Sequence, residues 1–162
     1  MMNDTLLQIY LNDHLAGFVA ATELAKRCLA NNQEGSLGEW LNQLIDEFKA
    51  EQTSTKEMLA YSGGAESLIK QGAGWLAEKI GRLKCNGSLL AYSDLSRVVE
   101  LEGLLIIAQD ASVFWETCAW VRERDSRFEA IDFSRLNERA RRRTEKLHHY
   151  HLSAVQQAFA KG

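Results

Sequence analysis

Not one proline occurs in these 162 residues, and the glycines gather at a few points, so long stretches contain nothing that breaks a helix. Apolar residues recur at three- and four-residue intervals in four of those stretches, the period of a helix with one buried face. The chain is therefore predicted to be all-α. The first helix is expected at about residues 5–30, and the second from Ser36 to the "SGG" at residues 62–64. A third long helix is expected at 93–124 and a last at 133–159. Ser36 opens "SLGE", the Ser-x-x-Glu form of a capping box that satisfies free N–H groups at a helix start. Between the second and third long helices, "AESLIKQGAGWLAEKIGRLK" at residues 65–84 predicts a short, broken helix within the connection.

The length suits a single domain over residues 1–162, with a core large enough to need neither disulfides nor a structural metal. A net charge of −3 is too small to steer the chain toward nucleic acid or an anionic membrane. Cys28, Cys85 and Cys118 are scattered, with no Cys-x-x-Cys pair, so neither a disulfide framework nor a zinc finger is expected and a reducing cytoplasm fits. The N-terminus "MMNDTLLQIYLNDHLAG" lacks the basic start and unbroken apolar stretch of a signal peptide. No apolar run reaches the roughly 20 residues that span a bilayer, so no membrane partner is expected.

Four long helices with a lengthy connection after the second form the plan of a bundle with a crossover, in which the second and third helices run the same way. The segments "YLNDHLAG" and "GWLAEKIGRLKCNG" resemble an uncharacterised bacterial branch of the ferritin-like superfamily, and the resemblance covers most of the chain. It implies a ferritin-like four-helix bundle with a helical crossover. For the wider superfamily it also implies glutamates on the first and third helices and Glu-x-x-His on the second and fourth, together holding a di-iron site.

Advancing about 100° per residue tests which of those ligands face inward. On the first helix the apolar stripe is Leu7, Leu11, Phe18, Ala21, Ala25 and Cys28; His14 lies within it and Glu23 roughly opposite, so the first carboxylate is missing. On the second, Trp40, Leu44, Phe48, Thr55 and Met58 face inward with Glu51, and the imidazole position reads Ser54. Glu47 sits nearer the edge of that face. The third helix is apolar on nearly all sides; Glu102, Gln109 and Glu116, seven apart, are read as one inward stripe with Leu95, Val98, Leu105 and Ser112. On the last helix "TEKLHHYHL" contains Glu145 and His148 at Glu-x-x-His spacing, but Glu145 points away from the face of Phe133, Leu136, Ala140, Leu147, Val155 and Ala158 by roughly 140°. His151 lies near the middle of that face.

The candidate metal ligands are thus His14, Glu51, Glu102 and His151, with Glu47, Glu116 and His148 marginal. Two helices that should bring carboxylates bring histidine, a poor set for di-iron chemistry. No metal cofactor is expected; iron or another divalent transition metal in an oxidoreductase or iron-handling protein is the alternative. Instead, His151 and Glu102 are expected to pair in one polar layer, and His14 and Glu51, near Gln109 and Thr144, in a second about 9 to 12 Å along the bundle. "NERARRRTEK" raises stress-linked nucleic-acid binding as a further alternative, but Arg139, Arg141 and Arg142 spread around the helix rather than lining one face. The surplus apolar surface of the third helix needs a cover, either the helix of the connection or a second subunit, and association is expected. A non-catalytic bundle acting as a homodimer through Leu104, Ile107, Phe114 and Val121 is the expectation, with no small-molecule substrate identifiable.

Overall fold

The structure, a computed structural model, describes residues 2–66 and 92–160. Among them are four long helices, α1 (Asp4–Ala30), α2 (Gly35–Tyr61), α3 (Asp94–Arg122) and α4 (Phe133–Phe159), with a short 3-10 turn at Ser126–Phe128 and no strand. The described residues form an all-α, four-helix bundle. The expected helix at residues 65–84, including Trp75, Leu76, Ile80 and Leu83, lies mostly outside the described residues.

The helix ends follow local side-chain chemistry. Asn3 Oδ1 accepts from Leu6 N at 3.1 Å to cap α1, and Asp132 Oδ1 accepts from Arg135 N at 3.0 Å to cap α4. Ser93 and Ser96 form a reciprocal capping box at the start of α3. The box expected at Ser36 does not form: α2 begins one residue earlier, at Gly35 with φ +75°, and its N-cap Glu34 makes no side-chain cap bond. The α1–α2 turn runs so close to α2 that a Cβ at Gly38 would collide with the carbonyls of Asn32 and Gln33. The third helix stops at Arg122, two residues before the expected 124, and the turn after it buries Phe128 completely.

Contacts between ends fix the helix directions. Gln8 donates to the carbonyl of Ser62 at 2.8 Å, so α2 ends beside the start of α1. Asn32 donates to the Tyr92 hydroxyl at 2.8 Å, so the chain enters α3 beside the end of α1. Tyr150 donates to the Ser36 carbonyl at 3.0 Å, and Arg97 to Gln157 Oε1 at 2.7 Å, placing the end of α4 beside the starts of α2 and α3. Consequently α2 and α3 both run opposite to α1 and α4.

One apolar core joins all four helices. The first-helix stripe expected from the sequence, Leu7 to Cys28, is buried, and so are Trp40, Leu44, Phe48, Thr55 and Met58 of α2. Phe18 of α1, Phe114 and Trp115 of α3 and Phe133 of α4 make a continuous aromatic stack at centroid spacings of 4.5 to 6.2 Å. Burying each such ring contributes roughly 1.5–3 kcal/mol before entropy is counted. Gly103 lets α1 approach α3, since a Cβ there would stand only 3.1 Å from Leu24 Cδ2.

Candidate functional site

Glu51 follows Phe48 by three residues and precedes Thr55 by four, so it shares the buried face of α2. Arg143 stands in the same relation to Ala140 and Leu147 on α4. The two meet inside the bundle: Arg143 Nη1 donates to Glu51 Oε1 at 2.7 Å and Nη2 to Oε2 at 3.1 Å, with the guanidinium carbon 4.6 Å above the Phe48 ring. Both side chains are essentially without solvent contact. Arg139 Nη2 approaches Glu51 Oε1 to 3.9 Å, and Glu47 Oε2 lies 3.5 Å from Arg143 Nη1. Two guanidiniums therefore face two carboxylates. Burial raises the Glu47 carboxyl above its ordinary range, with Glu51 adding to the rise and the two arginines opposing it.

This geometry bears directly on metal binding. Both oxygens of Glu51 are engaged by a fork whose charge cannot be removed, and a metal ion placed there would also meet that fixed positive charge. The other expected ligands lie elsewhere. Glu102 is exposed, as are Gln109 and Glu116, so the expected inward stripe of α3 is in fact its outer one. The inward line runs through Leu101, Leu104, Ala108, Ala111, Trp115 and Cys118, and the buried carboxylate of α3 is Glu100. The reason is physical: a helix apolar on nearly every side gives a helical wheel no phase to lock onto. Among the described residues no three His, Cys, Asp or Glu side chains gather into a group able to hold a metal ion. The described residues do not fit the di-iron centre that the resemblance implies.

His14 and Glu51 do not pair. His14 Nδ1 is 3.1 Å from Asp110 Oδ2 in the α1–α3 groove, and its ring stacks on Phe114 at 4.4 Å with Tyr10 at its edge. Its carboxylate is thus the neighbour of Gln109 in sequence. Nor do His151 and Glu102 pair: His151 is partly buried and its Nδ1 has no hydrogen-bond partner among the described residues, while Glu102 faces solvent. Thr144 turns its hydroxyl onto the Ala140 carbonyl at 3.0 Å, and shares with Gln109 and Ser112 only a shallow surface depression of 260 Å³.

A second buried polar cluster ties the start of α3 to the end of α1. The Tyr92 hydroxyl donates to Glu100 Oε2 at 2.9 Å, and Arg27 Nε stands 2.8 Å from Oε1 without hydrogen-bond alignment. Arg97 Nε donates to Asn32 Oδ1 at 2.6 Å. Burial pushes the Glu100 carboxyl above its usual range, against the Tyr92 hydrogen bond and the Arg27 charge. Burial, reinforced by Glu100, pushes the Cys28 thiol up to about 12, and burial alone raises Cys118 further. Neither supplies a thiolate nucleophile at neutral pH. Arg97 also lines a 680 Å³ depression with the α1–α2 turn, Tyr150 and Gln157, but its guanidinium is committed to Asn32 and Gln157.

The residues expected at a dimer interface are in the protomer's own core: Leu104 and Phe114 are fully buried, Ile107 and Val121 nearly so. Large apolar side chains do remain exposed on α3, but on its other side. Ile106, Val113 and Trp120 are 47%, 60% and 53% exposed, with Leu95 further along. Arg124 stacks on Trp120 with its guanidinium carbon 3.8 Å from the ring centroid. Arg141 and Arg142 are exposed on α4, Arg142 lying 3.8 Å from Glu138, whereas Arg139 turns toward Glu51. No helix among the described residues is long and apolar enough to cross a membrane.

Sequence reasoning missed Arg143 and Glu100. Arg143 had a signal, its three- and four-residue spacing from Ala140 and Leu147; Glu100, on a helix apolar all round, had none. Comparison with protein-family models, with curated proteins and with solved structures finds no match to this chain.

Proposed function

We propose that this chain is a ferritin-like bundle that has exchanged metal chemistry for a closed ion-paired interior and works in the cytoplasm by association, as a homodimer, rather than by catalysis. The observation that carries the reading is the outer face of α3, where Ile106, Val113 and Trp120 are each about half exposed on one helix. Large side chains aligned on a helix are a docking surface in the making, because each exposed ring or branched chain regains its hydrophobic free energy only when covered. The shared direction of α2 and α3 supports a crossover topology of the ferritin-like kind. The Glu51–Arg143 pair supports an interior without metal.

Light scattering on the full chain across a concentration series tests the association. The expected result is a mass moving from about 18 kDa toward twice that value as concentration rises. A monomer mass throughout would refute it.

A further inference from the structure

Relative to Val113, residues seven apart fall about 20° to either side on an ideal helix, and residues eleven apart fall within the same margin. Glu102, Ile106, Val113 and Trp120 therefore lie in one narrow line down α3, on the side opposite buried Leu104 and Ala111, and Arg124, in the turn just beyond the end of α3, joins the end of that line by stacking on Trp120. The line is symmetric in chemistry as well as in position. Glu102 and Arg124 stand eleven residues before and after Val113, and Ile106 and Trp120 seven before and after.

We propose, resting on the association reading above, that a second copy of this chain docks on this line with its α3 antiparallel, around a two-fold axis through Val113. That axis brings Val113 against its own counterpart, Ile106 against the partner's Trp120, and Glu102 against the partner's Arg124. A two-fold interface must use one patch twice, and this patch is complementary to itself when reversed. A parallel pairing would instead set Glu102 on Glu102 and Glu116 on Glu116, like charge on like. Arg124 is already held over Trp120, so its guanidinium has little freedom left to lose when Glu102 arrives.

Asp110 and Glu116 face each other across the reversed pair about 60° off the line, where solvent screens them, and Asp110 is also held by His14. Glu102 and Trp120 are about 27 Å apart along the helix, so the contact is one long helix face, at the small end of stable interfaces. The dimer should accordingly dissociate in the micromolar range.

Charge reversal at exposed positions tests the register without touching the core. Glu102→Arg and Arg124→Glu, each alone, should raise the dimer dissociation constant about tenfold or more in sedimentation equilibrium, since each places like charges together twice. An equimolar mixture of the two variants should restore wild-type affinity as a heterodimer, because both cross-pairs are then Arg with Glu. Val113→Glu should abolish the dimer while leaving the helical circular dichroism unchanged. A wild-type chain that stays monomeric to about 0.5 mM overturns both the pairing and the association reading, whether residues 67–91 of its own chain or another protein cover the face. A wild-type dimer that neither reversal weakens, or whose variants fail to rescue each other, overturns the α3 register alone.

Discussion

Replacing Arg143 by Met removes the guanidinium from the middle of the bundle and leaves most of the side-chain volume over Phe48. Glu51 then keeps its place on the buried face of α2 but loses both short hydrogen bonds, 2.7 and 3.1 Å, at a position closed to bulk solvent. Arg139, at 3.9 Å, is too far to substitute without moving. Stranding a buried charge this way costs about 3–5 kcal/mol. In a chain of this size 1 kcal/mol is worth about 2–4 °C, so the melting temperature should fall by about 10 °C. The companion change, Glu51→Leu with Arg143→Met, removes both charges and should recover most or all of that loss, since an apolar replacement of a buried pair is often neutral or stabilising. Urea denaturation followed by circular dichroism, on wild type, both singles and the double, gives the coupling energy directly. An Arg143→Met chain within about 1 kcal/mol of wild type, or a double variant no more stable than that single, would show that the pair does not organise the interior as described.

Further outcomes follow from the packing. Gly38→Ala should cost about 1–3 kcal/mol in urea denaturation, because its Cβ meets backbone carbonyls of Asn32 and Gln33, whereas Gly103→Ala should cost less, meeting only the flexible end of Leu24. Glu100 has a carboxyl raised above its unfolded value, so its contribution to stability is full at low pH and is lost as pH rises through the folded value; wild type should therefore lose stability relative to Glu100→Gln as pH rises above the ordinary carboxyl range, measured by thermal melts. Cys28 and Cys118 should resist a thiol reagent at pH 8 until the chain opens, with labelling detected by mass spectrometry, since both thiols are buried and protonated.

Where one face of a helix was apolar and the other polar, the sequence disclosed both the helix and its orientation. The stripe of α1 from Leu7 to Cys28, that of α2 from Trp40 to Met58, and the burial of Glu51 all followed from spacing. The bounds of α4, 133–159, were legible too. On α3 the same method misplaced the phase. Leu95, Ile106, Val113 and Trp120 put large apolar residues on its outer face as well as its inner one, so the heptad spacing of Glu102, Gln109 and Glu116 reads as a core feature although it marks the solvent side. The misplaced phase also sets Glu102 beside His151 and turns Leu104 and Phe114 outward, whereas Glu102 faces solvent and both apolar residues are fully buried. Arg143 escaped for another reason. A charged residue on an apolar face shows its purpose only when the opposing helix supplies Glu51, and that meeting spans 92 positions of sequence.

The metal content of the full chain, purified without an affinity tag and then exposed to ferrous iron, zinc or manganese followed by gel filtration, tests the central claim most directly. With Glu51 closed onto Arg143 and Glu102 on the outer face of α3, elemental analysis should find well below one tightly held ion per chain, and Arg143→Met should change melting temperature without any metal dependence. One or two ions retained per chain, lost on replacing Glu51 by Gln, would contradict the account and return the bundle to metal chemistry.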